Sequence, residues 1–336
     1  MSRAIERIWA ADGPAAWALT PLSWIFGAAI GARNLLFDLG VLRAYPLGLP
    51  AVSVGNVSVG GTGKTPVSAW IAAELLGMGA RPAILLRGYG DDEPLVHARL
   101  NPDIPAIANP DRLAGAAEAR AKGATILVLD DAFQHRRARR DLDVVLVAAE
   151  QRSAHRLLPA GPLREGRGAL RRAQLLIVTR KSATGAEAEA AAALWAGFSG
   201  APPTAILALV SGTLRPLVAS EASLPLSALS GKRVLALSAI GAPETFETQL
   251  RLLGATVESA AYPDHHAFTD ADIADLSRRA AGTDLTVCTL KDAVKLGPRW
   301  PRQAPGVWYL SQAVEVERGG ALLREALSRL VLGTQP

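Results

Sequence analysis

Residues 124–135 read Ala124-Thr-Ile-Leu-Val-Leu-Asp-Asp-Ala-Phe-Gln-His135. An apolar run rich in branched residues that stops on two acids has the form of a buried parallel strand with carboxylates at its carboxyl end. In open α/β sheets ligands sit at that end, and two adjacent carboxylates are costly to bury there without a cation. Upstream, Ser58-Val-Gly-Gly-Thr-Gly-Lys-Thr65 separates an expected strand (50–55) from an expected helix (64–76). Strand, glycine-rich turn and helix in that order aim backbone N–H groups and a helix N-terminus at phosphate oxygens. The two stretches together predict a nucleotide site with Mg²⁺.

Within the loop, Ser58, Val59, Gly60, Gly61, Thr62 and Gly63 are expected to wrap the ATP phosphates. Lys64 is expected to reach the β- and γ-phosphates and Thr65 to ligate Mg²⁺. The strict phosphate-loop pattern has glycine where this chain has Ser58; Gly60 and Gly61 are expected to supply the positive φ angles instead. Further apolar runs at 81–86, 125–129, 143–147, 174–179 and 204–209 alternate with helical segments, which predicts a doubly wound, mostly parallel α/β sheet of the P-loop NTPase type. After the 174–179 strand, Thr179-Arg-Lys-Ser182 lacks the aspartate that would pair with guanine, so ATP is the expected nucleotide.

At 336 residues, 49% hydrophobic and 20% charged, the chain is globular and long enough for two domains. Its one cysteine, Cys288, cannot form an internal disulfide and reads as a buried small hydrophobe. A net charge of +5 favours anionic partners. Nucleic acid is the weakest of these, because zinc-ligand spacing, an aromatic-flanked RNA motif and a long basic tail are all missing. The expected boundaries are an N-terminal apolar hairpin at 1–48, a nucleotide domain at 49–214, a Ser-, Ala- and Pro-punctuated linker at 215–230, and a smaller α/β domain at 231–336. In the latter, Thr269-Asp-Ala-Asp272 has the form of a capping box.

Residues 13–32 carry no formal charge, and Trp9, Trp17 and Trp24 cluster before residue 25. Trp17 and Trp24 lie seven residues apart, so both are expected on one helical face. Pro21, Thr20, Ser23, Gly27 and Gly31 weaken a bilayer span. A core helix pair, in-plane membrane association and a true span remain open from these residues alone. A cleaved export signal would carry the nucleotide site into a compartment without ATP. Arg136, Arg137, Arg139 and Arg140 form either a solvated turn or an anion-facing patch. Leu158-Pro-Ala-Gly-Pro-Leu-Arg-Glu165 reads as a positioning loop.

Several of these motifs together resemble the tetraacyldisaccharide 4′-kinase family. They are Gly55-Asn56, Gly60-Gly-Thr-Gly-Lys-Thr-Pro66, Arg87-Gly-Tyr-Gly90, Asp92-Glu-Pro94, Asp130-Asp-x-Phe-Gln-His135 and 158–165. Asp264-His-His266 and Lys291-Asp-Ala-Val-Lys295 extend the match, and Pro21-Leu-Ser-Trp-Ile-Phe-Gly27 is similar to the family's membrane-facing helical hairpin. Two departures stand out: the loop between Gly90 and Asp92 is short, and Leu290 stands where members often have glutamate.

The resemblance implies transfer of the ATP γ-phosphoryl group to the 4′-hydroxyl of a lipid A disaccharide 1-phosphate. It places that reaction at the cytoplasmic face of a Gram-negative inner membrane, with the lipid surface as a partner and no obligate protein partner evident. Asp92 matches the position of the general base and His265 that of its partner, with the site expected between the two domains. Asp130, Asp131 and Glu165 are the carboxylates expected around Mg²⁺; for Glu165 a surface salt bridge with Arg164 is the competing reading. Arg87, Gln134, His135 and Arg164 are expected to contact substrate, while His266 is expected to be a structural neighbour.

Overall fold

The computed structural model describes residues 9, 13–88, 92–151, 156–198, 200, 202–218, 222–241 and 243–333. Tyr89 and Gly90 of the motif at 87–90, most of the first twelve residues of the expected hairpin, and 219–221 of the expected linker lie outside them.

The amino-terminal apolar stretch folds as two helices, α1 (Pro14–Ala18) and α2 (Thr20–Asp38). The break falls at Leu19, and Pro21 sits in the first turn of α2, where its missing N–H costs little. Trp17 and Trp24 therefore belong to different helices rather than to one continuous face, as their spacing alone suggests. Both are exposed, at 63% and 71%. Ser23 is the buried residue of α2: its hydroxyl donates to Leu157 O (2.8 Å) and accepts from Ala160 N–H (3.0 Å). Among the described residues no helix is long and apolar enough to cross a membrane.

By its internal contacts the chain divides into a larger unit, Arg3–Leu209 with Val314–Pro336, and a smaller one holding Val210–Ala313. The larger unit contains β1 (Ala51–Asn56), α3 (Lys64–Gly77), β2 (Pro82–Leu86), α4 (Asp92–Leu100), β3 (Ala106–Ala108), α5 (Arg112–Ala121), β4 (Ile126–Asp130), β5 (Leu142–Ala148), β6 (Leu175–Arg180) and α6 (Gly185–Ala196). Strand β7 (Thr204–Pro216) starts here and continues into the smaller unit. The strand order is β3-β2-β4-β1-β5-β6-β7, and each pair from β2–β3 to β6–β7 is parallel.

Strands β1, β2 and β4 are buried along their whole length, as expected of a parallel sheet covered on both faces. Alternate residues feed opposite cores. Val52, Val54, Ile84, Ile126 and Val128 pack with Ile71 and Leu75 of α3, whereas Ala83, Leu85, Leu127 and Leu129 pack with Ala116 and Ala119 of α5. The order reverses at β1, whose neighbours β4 and β5 follow it on opposite sides. That switch point is where an open α/β sheet leaves a crevice.

The smaller unit takes in β8 (Arg233–Ser238), α7 (Pro243–Leu252), β9 (Thr256–Ala261), α8 (Asp270–Ala280), β10 (Leu285–Cys288) and α9 (Leu290–Leu296). Strand β11 (Val307–Arg318) begins in it and ends in the larger unit. Its order is β11-β10-β8-β9, again parallel. Thr269 and Asp272 form the capping box of α8, as read from the sequence, and Cys288 is buried. Two expectations differ. The final helix, α10 (Gly320–Leu332), was expected with the second domain, but its Leu323, Leu327 and Leu330 join the core around α3. The expected linker is partly packed, with Leu217 and Leu229 buried.

Candidate active site

The glycine loop is held from behind by backbone and side-chain groups that the motif does not include. Val59 N–H donates to Pro162 O (2.7 Å) and Arg164 N–H to Val57 O (2.7 Å), zipping the loop to residues 162–164. Ser58 sits in an antiparallel bridge with Leu163, and its hydroxyl donates to Gln151 Oε1 (2.7 Å). It has no positive φ, so serine is tolerated where the strict pattern has glycine. The positive angles fall on Gly60 (124°) and Gly63 (80°); Gly61, expected to share that role, has none. Gly63 takes it because it is the left-handed N-cap of α3. Asn56 Nδ2 donates to Thr62 Oγ1 (3.0 Å), Thr179 Oγ1 to Thr62 O (2.9 Å) and Lys181 Nζ to Gly61 O (3.0 Å).

Lys64 and Thr65 open α3 and face a cavity of about 610 Å³. Burial lowers the Lys64 pKa, and Asp131, 3.9 Å away, counters it. The same cavity is lined by Arg87, Asp130, Asp131, Gln134, His135, Arg164 and Glu165, so nine of the residues singled out in the sequence meet in one place. Ile30, Arg33, Glu93 and Arg112 line it too, and sequence reasoning did not find them in this role.

Asp130 ends β4 and is buried, with an edge on the cavity. Ser68 Oγ donates to its Oδ1 (3.0 Å) and His97 Nε2 lies 3.0 Å from Oδ2. Burial would raise its pKa, but the His97 bond and charge, with Lys64 and Ser68, hold it below the ordinary carboxylate range. Arg112 donates to Asp130 O, and burial lowers its pKa to about 10. Asp131 is different: left-handed (φ 50°), part-exposed, and gripped by Arg164 Nη1 at 2.9 and 3.1 Å. Behind them Phe133 is fully buried, and a Cβ on Gly55 would come within 2.5 Å of the Phe133 Cβ. Gly55 is what lets the acid loop close on β1. Gln134 Nε2 donates to Asn56 O (2.8 Å), and burial lowers the His135 pKa.

Glu165 corrects the competing reading. Arg164 is committed to Asp131, and Glu165 is almost fully buried, its Oε2 accepting from Asn34 Nδ2 (2.9 Å) and Arg172 Nη2 (2.9 Å). Its Oε1 is buried with no hydrogen-bond partner among the described residues. No group of three or more His, Cys, Asp or Glu among the described residues could by itself hold a metal ion. Mg²⁺ asks for less: one or two carboxylates, phosphate oxygens and retained waters. Thr65 with the Asp130–Asp131 pair in one cavity fits that donor set.

Asp92 is the first residue of α4 rather than part of an extended turn, and it is buried. An acidic pair followed by Pro94 suits a helix start, a signal that was available in the sequence. Glu93, not Asp92, lines the cavity. His265 lies in the smaller unit, exposed and left-handed (φ 60°), with Nε2 3.9 Å from Asp264 Oδ1. His266 is structural, as expected: it stacks on Tyr262 (4.8 Å between centroids) and meets Asp272 Oδ2 at 2.9 Å.

Residues 15–331 match the family model for tetraacyldisaccharide-1-P 4′-kinase. A tetraacyldisaccharide 4′-kinase of Anaeromyxobacter dehalogenans strain 2CP-1 is 41% identical, the alignment covering 90% of this chain and 87% of that protein. Its counterpart in Azoarcus sp. strain BH72 is 35% identical over 98% and 96% of the two chains. Among solved structures, LpxK from Aquifex aeolicus in complex with ATP superposes with a TM-score of 0.73 at 30% identity, covering 94% of this chain and 99% of that one. The chain belongs to the tetraacyldisaccharide 4′-kinase family.

Proposed function

We propose that this protein transfers the γ-phosphoryl group of ATP to the 4′-hydroxyl of a tetraacyl disaccharide 1-phosphate. The observation that carries this is the single cavity in which the phosphate-loop residues Lys64 and Thr65 meet Asp130, Asp131, Gln134, His135, Arg164 and Glu165, in a chain of this family.

The loop from Ser58 to Thr65 supplies amide donors and the α3 N-terminus to the nucleotide phosphates, and the Lys64 ammonium balances charge that develops on them. Thr65, Asp130 and Asp131 would hold Mg²⁺, which when bound neutralises the phosphate oxygens. Asp130 is buried with its oxygens bonded to Ser68 and His97, so it fits contact through water, while Asp131, held by Arg164 in the same cavity, is the more exposed of the two. Glu165, which Asn34 and Arg172 hydrogen-bond, is proposed as the third carboxylate around the ion. Asp92 accepts the proton of the attacking hydroxyl as the new O–P bond forms and the bond to the β-phosphate oxygen breaks, releasing ADP. His265 is proposed as its partner, and Arg87, Gln134, His135 and Arg164 as substrate contacts.

An amphiphilic acceptor has to be met at a lipid surface. Trp17, Leu22, Trp24, Ile25, Leu35, Leu36 and Leu39 are all exposed on α1, α2 and the residue that follows. Exposed apolar residues with indoles among them suit the headgroup region of a bilayer. We place α1 and α2 in that region, lying in the plane of the cytoplasmic face. The test is transfer of labelled phosphate from ATP to a tetraacyl disaccharide 1-phosphate in detergent micelles. Labelled product is expected; its absence with folded protein, or equal transfer to soluble sugars, would remove this reading.

A further inference from the structure

Arg33 is the contribution of α2 to the cavity that also holds Lys64, and its charge is unusually placed. One nitrogen donates to Gln134 O (3.0 Å), and the guanidinium lies 5.1 Å from the Phe37 ring centroid. The Arg136 guanidinium lies 5.1 Å from the same centroid. Two cations are thus held around one ring, and only one is neutralised: Arg136 pairs with Asp38 at 2.6 Å, whereas Arg33 has no ion pair among the described residues. Of the other cations here, Lys64 and Arg164 pair with Asp131 and Arg172 with Glu165, while Arg112 donates to the carbonyls of Asn109 and Asp130. Glu165 attracts Arg33 but is already bonded by Asn34 and Arg172, and burial, Arg136 and Arg172 all oppose the Arg33 charge.

A guanidinium stays protonated under such pressure, so the relief available to it is an anion. Its remaining donors match a phosphate bidentately. Position selects among phosphates. Helix α2 turns Ile30 and Arg33 into the cavity and leaves Trp24, Ile25, Leu35 and Leu36 exposed. One helix thus offers an apolar surface and a lone cation to the same molecule, which suits an amphiphile with an anionic head. We infer that Arg33 binds the phosphate the acceptor already carries, and so selects phosphorylated over unphosphorylated disaccharide.

The inference rests on the proposed kinase reading, and the experiment separates the two. Wild type, Arg33→Ala and Arg33→Lys are each assayed with tetraacyl disaccharide bearing the 1-phosphate and with the same disaccharide lacking it. KM for ATP and sedimentation with anionic vesicles are measured in parallel. Wild type is expected to favour the phosphorylated acceptor in kcat/KM. Arg33→Ala should lose that preference by roughly tenfold or more, the order expected for one charge-assisted contact, and Arg33→Lys should recover part of it. An equal loss on both acceptors would assign Arg33 a structural role and overturn the inference. So would a rise in ATP KM or weaker vesicle binding with the preference intact. Wild type inactive on both acceptors would overturn the kinase reading itself, and this inference with it.

Discussion

His97 Nε2 lies 3.0 Å from Asp130 Oδ2, both groups buried, which ties helix α4 to the acid end of β4. The Asp130 carboxylate, held ionised, can only accept, so Nε2 is the nitrogen that presents a proton to it, and Nδ1 has no partner among the described residues. Removing that donor leaves a buried carboxylate short of a hydrogen bond, which costs about 1–3 kcal/mol. His97→Leu should lower unfolding free energy by that order in urea titrations, and His97→Gln, which can still donate, should recover part. A Leu variant as stable as wild type would refute the role.

The parts of the site legible in the sequence are those written in local order. The apolar run into Asp130-Asp131, the glycine loop into Lys64-Thr65 and the Thr269 capping box each lie within a dozen residues, where strand and helix signals act directly. His97, Ser68, Asn34 and Arg33 were not legible. Their roles come from pairings across 33, 62, 131 and 101 residues that only the sheet order creates. The α1–α2 break was readable from Pro21, yet the uncharged run around it masked the signal.

The glycine loop offers a contrast within three residues. Gly63 caps α3 at φ 80° with the Leu209 side chain against it, whereas Gly61 has no positive φ and only the Lys181 ammonium 3.5 Å from an added Cβ. Gly63→Ala should therefore cost about 1–3 kcal/mol of strain and weaken ATP binding in calorimetry. Gly61→Ala should change stability by less than about 0.5 kcal/mol. Equal thermal shifts for the two would contradict this loop geometry.

Asp272 is held at a pKa of about 2 by the Thr269 backbone N–H, His266 and the Thr269 hydroxyl. A folded-state value below the ordinary 3.8 means a stabilising contribution that is complete above about pH 4. That contribution fades as pH falls from there toward 2. The melting temperatures of wild type and Asp272→Ala should differ at pH 6 and converge across that window. A gap that widens on acidification would reverse the sign.

The exposed indoles are expected to act at a lipid surface. Trp17→Ser with Trp24→Ser should reduce co-sedimentation with phospholipid vesicles several-fold while leaving ATP binding in detergent intact. Undiminished vesicle binding would argue against placing α1 and α2 in the interface.

The central claim is that Asp92, buried at the start of α4 beside Glu93, takes the acceptor proton at the edge of the cavity that Glu93, Lys64, Thr65 and the acid pair line. The most direct test is a single-turnover measurement of phosphate transfer to the tetraacyl disaccharide 1-phosphate by Asp92→Ala, with ATP affinity measured on the same protein. The account predicts transfer slowed by about 10²–10⁴-fold with ATP affinity near that of wild type. Transfer at the wild-type rate would contradict it.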